Sequence, residues 1–289
     1  MKTHTKINNM KRIKKLGVSA ALAIGASAFA QTPIDIDASK SIAEIQPTMY
    51  GIFFEDINFA ADGGLYAELI KNRSFEFDSP KMGWEEPNSS RHSLNKDSGI
   101  AKIINYADST GNRNYARFEI NDASGYEVIN EGFRGMGLRA GENYRISAMT
   151  GKVNGISSIK FELLDENGDV FGEASIAPKG NDWNTSEAMI TPSKTVEKAK
   201  LRITFSGKGS IAMDMISMFP ENTWKGRKNG LRKDLVQLLA DMKPGFLRFP
   251  GGCIVEGRTL EKRYQWKKNG WSSRRSRNAR KSLEYRIFK

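Results

Sequence analysis

Apolar residues recur along the chain with two periods, and the switch between them divides it. Residues 50–54 are a short apolar run, as in a strand buried on both faces. Glu55 and Asp56 follow at once. After Gly63-Gly64, the positions Ala61, Leu65 and Leu69 share one helical face, with Asn72 near the stop, so a helix is predicted there. Leu231, Leu235, Leu238, Leu239 and Met242 recur at helical spacing and predict an amphipathic helix over 231–242. Lys243-Pro244 ends it. Residues 246–249 form a second apolar strand, broken only by Arg248. Pro250-Gly251-Gly252-Cys253 then makes a sharp turn of bare backbone. Strand, helix and strand with glycine turns predict a parallel α/β architecture.

Between 78 and 220 the period shortens to two. Alternating runs occupy 116–120, 144–148, 159–164, 199–205 and 211–219. Glu166-Asn167-Gly168-Asp169 reads as a hairpin turn with Asn-Gly at its centre. Pro80, Gly83, Pro87, Ser89 and Ser90 mark the leading boundary. Short strands at this spacing predict a β-sandwich, inserted into the α/β part. Upstream, Ile34, Ile36, Ile42 and Ile45 alternate in part and predict a leading strand packed outside the α/β core.

Averaged charge hides the organisation. The formal net charge is +12. Residues 1–30 hold six of the positive charges and no acid, and 267–289 hold a net +8, which leaves 31–266 at −2. A nucleic-acid partner would call for a basic face on the folded body, and the body is near neutral. The six cations precede a short apolar stretch, 16–26, and the small-residue site Ala28-Phe29-Ala30. That pattern predicts a signal peptide over 1–30, cleaved before Gln31, with no membrane anchor afterwards. Cys253 is the single cysteine, so the sequence offers no intramolecular disulfide. His4 and His92 stand apart, with no clustered metal-ligand spacing, and no cofactor is called for.

The two α/β stretches, YGIFFEDINFAADGGLYAELIKNRSFEF and KPGFLRFPGGCIVEGRTLEKRYQWK, resemble the N-terminal catalytic region of α-L-arabinofuranosidases of glycoside hydrolase family 51. The resemblance implies a (β/α)8 barrel and retaining release of terminal arabinofuranose from arabinoxylan or arabinan, plant polysaccharides that contain arabinose. It implies that Glu55 contacts the cleaved sugar, with Gly251, Gly252 and Cys253 beside the same subsite. The order of short motifs within 78–220 resembles carbohydrate-binding modules of the family 4 and 9 type, which are jelly rolls. The expected arrangement is therefore a signal peptide over 1–30, the start of the barrel over 31–77, the jelly roll over 78–220, and the barrel resumed over 221–266.

Each candidate has a plainer alternative. An acidic pair after a strand is commonly a solvated turn, and a lone cysteine is commonly a small buried hydrophobe. Trp84, Tyr106, Tyr115, Tyr126 and Trp183 could stack on sugar, but Trp183 reads more simply as sandwich core. Met213, Met215 and Met218 read as packing. Asp214 alone makes no calcium cage. An octet barrel takes about 250 residues, whereas 31–77 and 221–266 offer 93. A retaining glycosidase needs two carboxyl groups roughly 5–5.5 Å apart, and Glu55, Glu68, Glu76 and Glu256 match neither position in the family. A second function class therefore stays open, a polysaccharide-binding protein acting through the jelly roll. A polyanion-binding arm is a third, because 267–289 carries nine basic residues without apolar periodicity and leaves the family pattern. That break predicts a shifted or truncated reading frame starting at or near Lys267. Resequencing the gene checks it; the absence of any downstream frame encoding further barrel strands would refute it.

Overall fold

The computed structural model describes residues 34–55, 58–87, 98–105, 112–124, 126–249, 255 and 259–260. The expectations for 1–30 and 267–289 lie outside the described residues. Two units are distinguished, 1–46 and 47–289. In the first, the described residues form turns and bends, so the leading strand expected there is not found among them. The local cause is Asp37, whose carboxylate accepts the Ser39 amide at 3.0 Å and pairs with Lys40 at 3.6 Å. Such short-range bonding competes with extended pairing.

The second unit is mostly β-sheet. Its strands are β1 (Ile52–Phe53), β2 (Trp84–Glu85), β3 (Gly99–Asn105), β4 (Asn114–Ile120), β5 (Glu127–Asn130), β6 (Met136–Leu138) and β7 (Tyr144–Asn154). Then come β8 (Ser158–Leu164), β9 (Val170–Ile176), β10 (Asn184–Ile190), β11 (Val196–Ser206), β12 (Gly209–Pro220), helix α1 (Lys233–Asp241) and β13 (Leu247–Arg248). One sheet runs β10-β7-β12-β4-β3 and the other β2-β5-β11-β8-β9, with β6 also paired to β11. The two sheets bury one core between them. Phe118, Ile146, Met213 and Met218 come from the first sheet, and Phe161, Leu163, Leu201 and Phe205 from the second. Alternation explains this placement. On β7, Tyr144, Ile146 and Ala148 are buried while Arg145 and Ser147 are only half-buried. The β8–β9 hairpin turns at Gly168, whose φ of 88° suits glycine. The Asp165 carboxylate accepts the amides of Asn167 and Asp169, each at 2.9 Å.

The helix expected between Ala61 and Asn72 does not form. That stretch runs as turns and isolated bridges. Its start closes on itself, with the Gly64 and Tyr66 amides both donating to the Ala61 carbonyl, and from Ala67 onward the backbone bonds outward. Ala67 N–H donates to the Gly230 carbonyl at 3.2 Å, Leu69 N–H to Met218 at 3.0 Å, and Ile216 N–H to Arg73 at 3.0 Å. The reason lies in β12. β4 pairs with β12 only as far as Met213, so the same edge beyond that point lacks a strand partner. A bulge between Asp214 and Ser217, with Met215 at φ 50°, reshapes that edge. Residues 68–73 fill it, and Ile70 and Phe75 join the sandwich core.

What holds them there is Glu68, which is fully buried. Its carboxylate accepts the Met218 amide at 2.9 Å, the Ile70 amide at 3.1 Å and the Ser217 hydroxyl, and pairs with Arg73 at 2.8 Å. Burial pushes the Glu68 carboxyl above its ordinary range, and Arg73, Ser217 and the two amides offset only part of that rise. Burial acts downward on Arg73, and Glu68, Asp62 and Tyr66 outweigh it, so the guanidinium keeps its charge. Every partner named here gives the carboxylate a proton donor, so the ion pair is the state this pocket favours. Removing one partner of a buried pair costs about 3–5 kcal/mol. Glu68→Ala is therefore expected to lower the unfolding free energy of the chain by about that amount in urea titration. A loss below about 1 kcal/mol, the scale of an exposed pair, would show that Glu68 does not anchor the segment.

Candidate functional site

Two parallel strands, β1 and β13, form the second assembly in this unit. Ile52 stands opposite Leu247 and Phe53 opposite Arg248. Ile52 N–H donates to Phe246 at 2.9 Å and Phe54 N–H to Arg248 at 3.0 Å. The Arg248 guanidinium lies 4.7 Å from the Phe53 ring centre, and Phe54 stacks on Phe249 at 5.7 Å. The Tyr50 hydroxyl donates to the Met242 carbonyl at 3.1 Å, tying the start of β1 to the end of α1. Strand, helix and parallel strand are thus joined as the hydrophobic pattern predicts, with α1 shorter at both ends than 231–242.

Glu55 follows β1 after one residue, Phe54, and is half-buried. A carboxylate there can accept two or more hydrogen bonds from hydroxyl donors while its outer side stays in water. Gly251, Gly252 and Cys253 lie outside the described residues, so Glu55 is the one sequence-predicted site residue that the structure locates. The ring contact between Phe54 and Phe249 joins the neighbour of Glu55 to the strand that leads into 251–253.

Much of this assembly's apolar surface is open. Phe53 is 52% exposed, Leu238 63% and Leu247 64%, and α1 has no buried residue. Among the described residues, no group of three or more His, Cys, Asp or Glu could hold a metal ion. No helix in that set is long and apolar enough to cross a membrane.

In the sandwich, Trp84 and Tyr126 are core residues. The Trp84 indole donates to the Asn72 carbonyl at 3.1 Å and the Tyr126 hydroxyl to Glu86 at 2.8 Å. Tyr106 lies outside the described residues. Trp183 does not fill the core, as its position after Asn181-Asp182 suggested. It is half-buried and meets Tyr115 edge-to-face at 5.4 Å. Tyr115 alternates with the inward Ala116, Phe118 and Ile120, so the pair sits on the outer face of the first sheet. Gly151 explains the placement: a Cβ there would meet the indole at 3.2 Å, and glycine leaves the slot. Lys152 Nζ donates to the Tyr115 hydroxyl at 2.9 Å. Met213 and Met218 are core, as expected, while Met215 is half-buried in the bulge. Asp214 accepts from the Asn112 side chain and from the Met215 amide at 2.7 Å, amide donors rather than an oxygen cage.

Sequence reading missed Glu68 as an anchor, along with Asn72 and Asn130. Asn72 spans the Pro80 and Met82 carbonyls and the Phe77 amide; Asn130 receives the amides of Lys71 and Gly132. The available signal was faint: Glu68 and Arg73 are opposite charges five apart, with Lys71 and Asn72 between them.

Comparison with known proteins supports the arabinofuranosidase resemblance and carries it into 267–285, where the sequence pattern was read as leaving the family. The family described as "Alpha-L-arabinofuranosidase 1 domain" matches residues 238–285, a range that includes 267–285 of the basic tail. The extracellular exo-α-L-arabinofuranosidase of Streptomyces chartreusis is 34% identical over 273 residues, covering 86% of this chain and 31% of that protein. α-L-Arabinofuranosidase 1 of Arabidopsis thaliana is 33% identical over 250 residues, covering 81% and 36%. The arabinose-bound MgGH51 α-L-arabinofuranosidase structure superposes with a TM-score of 0.67 at 28% identity, over 79% of this chain and 38% of that one. The chain thus spans about a third of the length of these curated relatives.

The β1–β13 pairing has a sharp steric requirement. A Cβ at position 245 would come within 1.7 Å of the Pro47 carbonyl oxygen. Gly245→Ala is expected to part the two strands at a cost of about 1–3 kcal/mol. Hydrogen exchange at Ile52 and Phe54 should then accelerate by roughly tenfold or more, with exchange at Ile146 and Leu201 unchanged. Unaltered protection at Ile52 and Phe54 would refute the pairing.

Proposed function

We propose that the chain is the N-terminal part of a glycoside hydrolase family 51 α-L-arabinofuranosidase, to which it is similar, and that it contributes the start of a (β/α)8 catalytic barrel. The whole enzyme would release terminal arabinofuranose, with retention, from arabinose-containing plant polysaccharide. The observation that carries this reading is the parallel pairing of β1 with β13 across the sandwich, with Glu55 at the C-terminal end of β1. Barrel enzymes keep their chemistry at that end of the strands. The open apolar faces of Phe53, Leu238 and Leu247 are of the kind further barrel elements would cover. The sandwich is then a jelly roll set between the first two barrel strands.

In this reading Glu55 accepts hydrogen bonds from arabinose hydroxyls. The Gly251-Gly252 backbone and the small Cys253 line the same subsite. Neither the acid/base nor the nucleophile is assigned to any residue of 1–289, and the isolated chain is expected to release no arabinose from an aryl arabinofuranoside. Export rests on the charged-apolar-small pattern of 1–30 and on similarity to a relative named as extracellular.

A second reading, polysaccharide binding without cleavage, draws on the half-buried Trp183 beside Tyr115 and Lys152 on the outer face of the sandwich. Its ring face could stack on a sugar.

Glu55→Ala in a complete enzyme that contains this chain tests the first reading. Each lost hydrogen bond to the charged group is worth about 1.5–3 kcal/mol, so kcat/KM should fall by roughly ten- to hundredfold or more. An unchanged kcat/KM would overturn the role of Glu55.

A further inference from the structure

Where the sandwich meets α1, the surface folds into a cleft of about 730 Å³. One wall is the end of β6 and the loop after it, with Leu138, Arg139 and Glu142. The floor is the stretch from Tyr66 to Leu69, and the far wall is the first turn of α1, with Arg232, Asp234 and Gln237. We propose that this cleft is a groove for the backbone of a neutral pentose polymer. The proposal rests on the arabinofuranosidase reading and adds to it where the polymeric part of the substrate lies.

Placement is the first argument. A crossover helix runs back along the strands it joins, so the N-terminal turn of α1 lies toward the C-terminal end of β1. Glu55 is at that end. Gly63, in the cleft wall, is eight residues from Glu55, so the two Cα atoms are at most about 28 Å apart even along a fully extended chain. The first turn of α1 and Glu55 both lie toward the C-terminal end of β1, the end at which barrel enzymes bind substrate.

Chemistry is the second. Arg139, Arg232 and Lys233 balance Glu142, Glu197 and Asp234 around the cleft, and Glu68 in its floor is paired with Arg73. A surface of equal and opposite charges does not select an anion. It offers donors and acceptors side by side, which suits a chain of hydroxyl and ether oxygens. Tyr66 and Phe133, both half-buried, add ring surface for the apolar faces of sugars.

Rigidity is the third. The floor is the segment held by the buried Glu68–Arg73 pair, and Tyr66 is held edge-on to Phe219 at 4.9 Å. A groove built beforehand loses little freedom when a ligand enters. Its volume falls in the ordinary range of ligand sites, about 300–1,000 Å³.

Affinity electrophoresis of the 289-residue chain in gels containing arabinoxylan or linear arabinan tests the proposal. The unaltered chain should be retarded. Arg139→Ala/Gln237→Ala removes two exposed side chains from opposite walls and should weaken retention by about tenfold, at roughly 1 kcal/mol per neutral or exposed hydrogen bond. Lys208→Ala, an exposed position between β11 and β12 that does not line the cleft, should leave retention within about twofold. Far-ultraviolet circular dichroism confirms that each variant is folded, and Glu197→Ala on β11 replaces the double variant if that one is not. Three results would overturn the groove: no retardation of the unaltered chain, equal retardation of the cleft variant, or loss on Lys208→Ala alone. Stronger retention by polygalacturonate than by the neutral polymers would overturn the ligand class. A complete enzyme containing this chain that releases no arabinose from arabinoxylan or arabinan would remove the arabinofuranosidase reading and leave the polymer-retention result standing.

Discussion

The Glu68 carboxylate sets the terms for the rest of the unit. A fully buried charge is tolerated only where donors surround it. Here they come from three places: Arg73 five residues on, the amide of Ile70, and the Ser217–Met218 step of β12. Meeting that requirement fixes residues 68–73 against the one sandwich edge that β4 leaves vacant. The segment between β1 and the sandwich is therefore part of the sandwich core rather than a tether, which is why Ile70 and Phe75 are buried with Phe118 and Leu201.

The same anchoring separates two structural demands. The sandwich closes its own core, while β1, α1 and β13 keep large apolar side chains exposed. The first is a finished body by the usual criterion of buried apolar residues; the second has a paired backbone and uncovered faces. Glu55 belongs to the second and owes its position to the parallel register of Ile52 with Leu247.

How much of this was legible in the sequence depended on where each signal originates. The strands of the sandwich and the turn at Asn167-Gly168 were readable because alternation and left-handed glycine are local properties. α1 and the two short strands were readable from apolar spacing. The helix expected over Ala61–Asn72 was not real, although Leu65 and Leu69 have helical spacing, because a non-local partner, β12, took the backbone hydrogen bonds. Trp183 was misplaced because its slot is created by Gly151, a residue on another strand. Glu55 was located correctly at the end of β1, but Glu68 was weighed only as a catalytic carboxylate. Its role depends on Ser217, 149 positions away.

The hydrogen bond from Leu69 to Met218 also bears on how the chain can fold in time. Ile52 and Leu247 are 195 positions apart, a costly loop to close for two residues of parallel pairing. Once the sandwich has formed, its ends at Leu69 and Met218 are already in contact. The chain left to close is then the 17 positions from Ile52 to Leu69 and the 29 from Met218 to Leu247. The logarithmic dependence of loop entropy on length makes that shortening worth about 1 kcal/mol. It also favours an order: β1 and β13 meet at lower entropic cost once the sandwich between them has become a short, closed bridge.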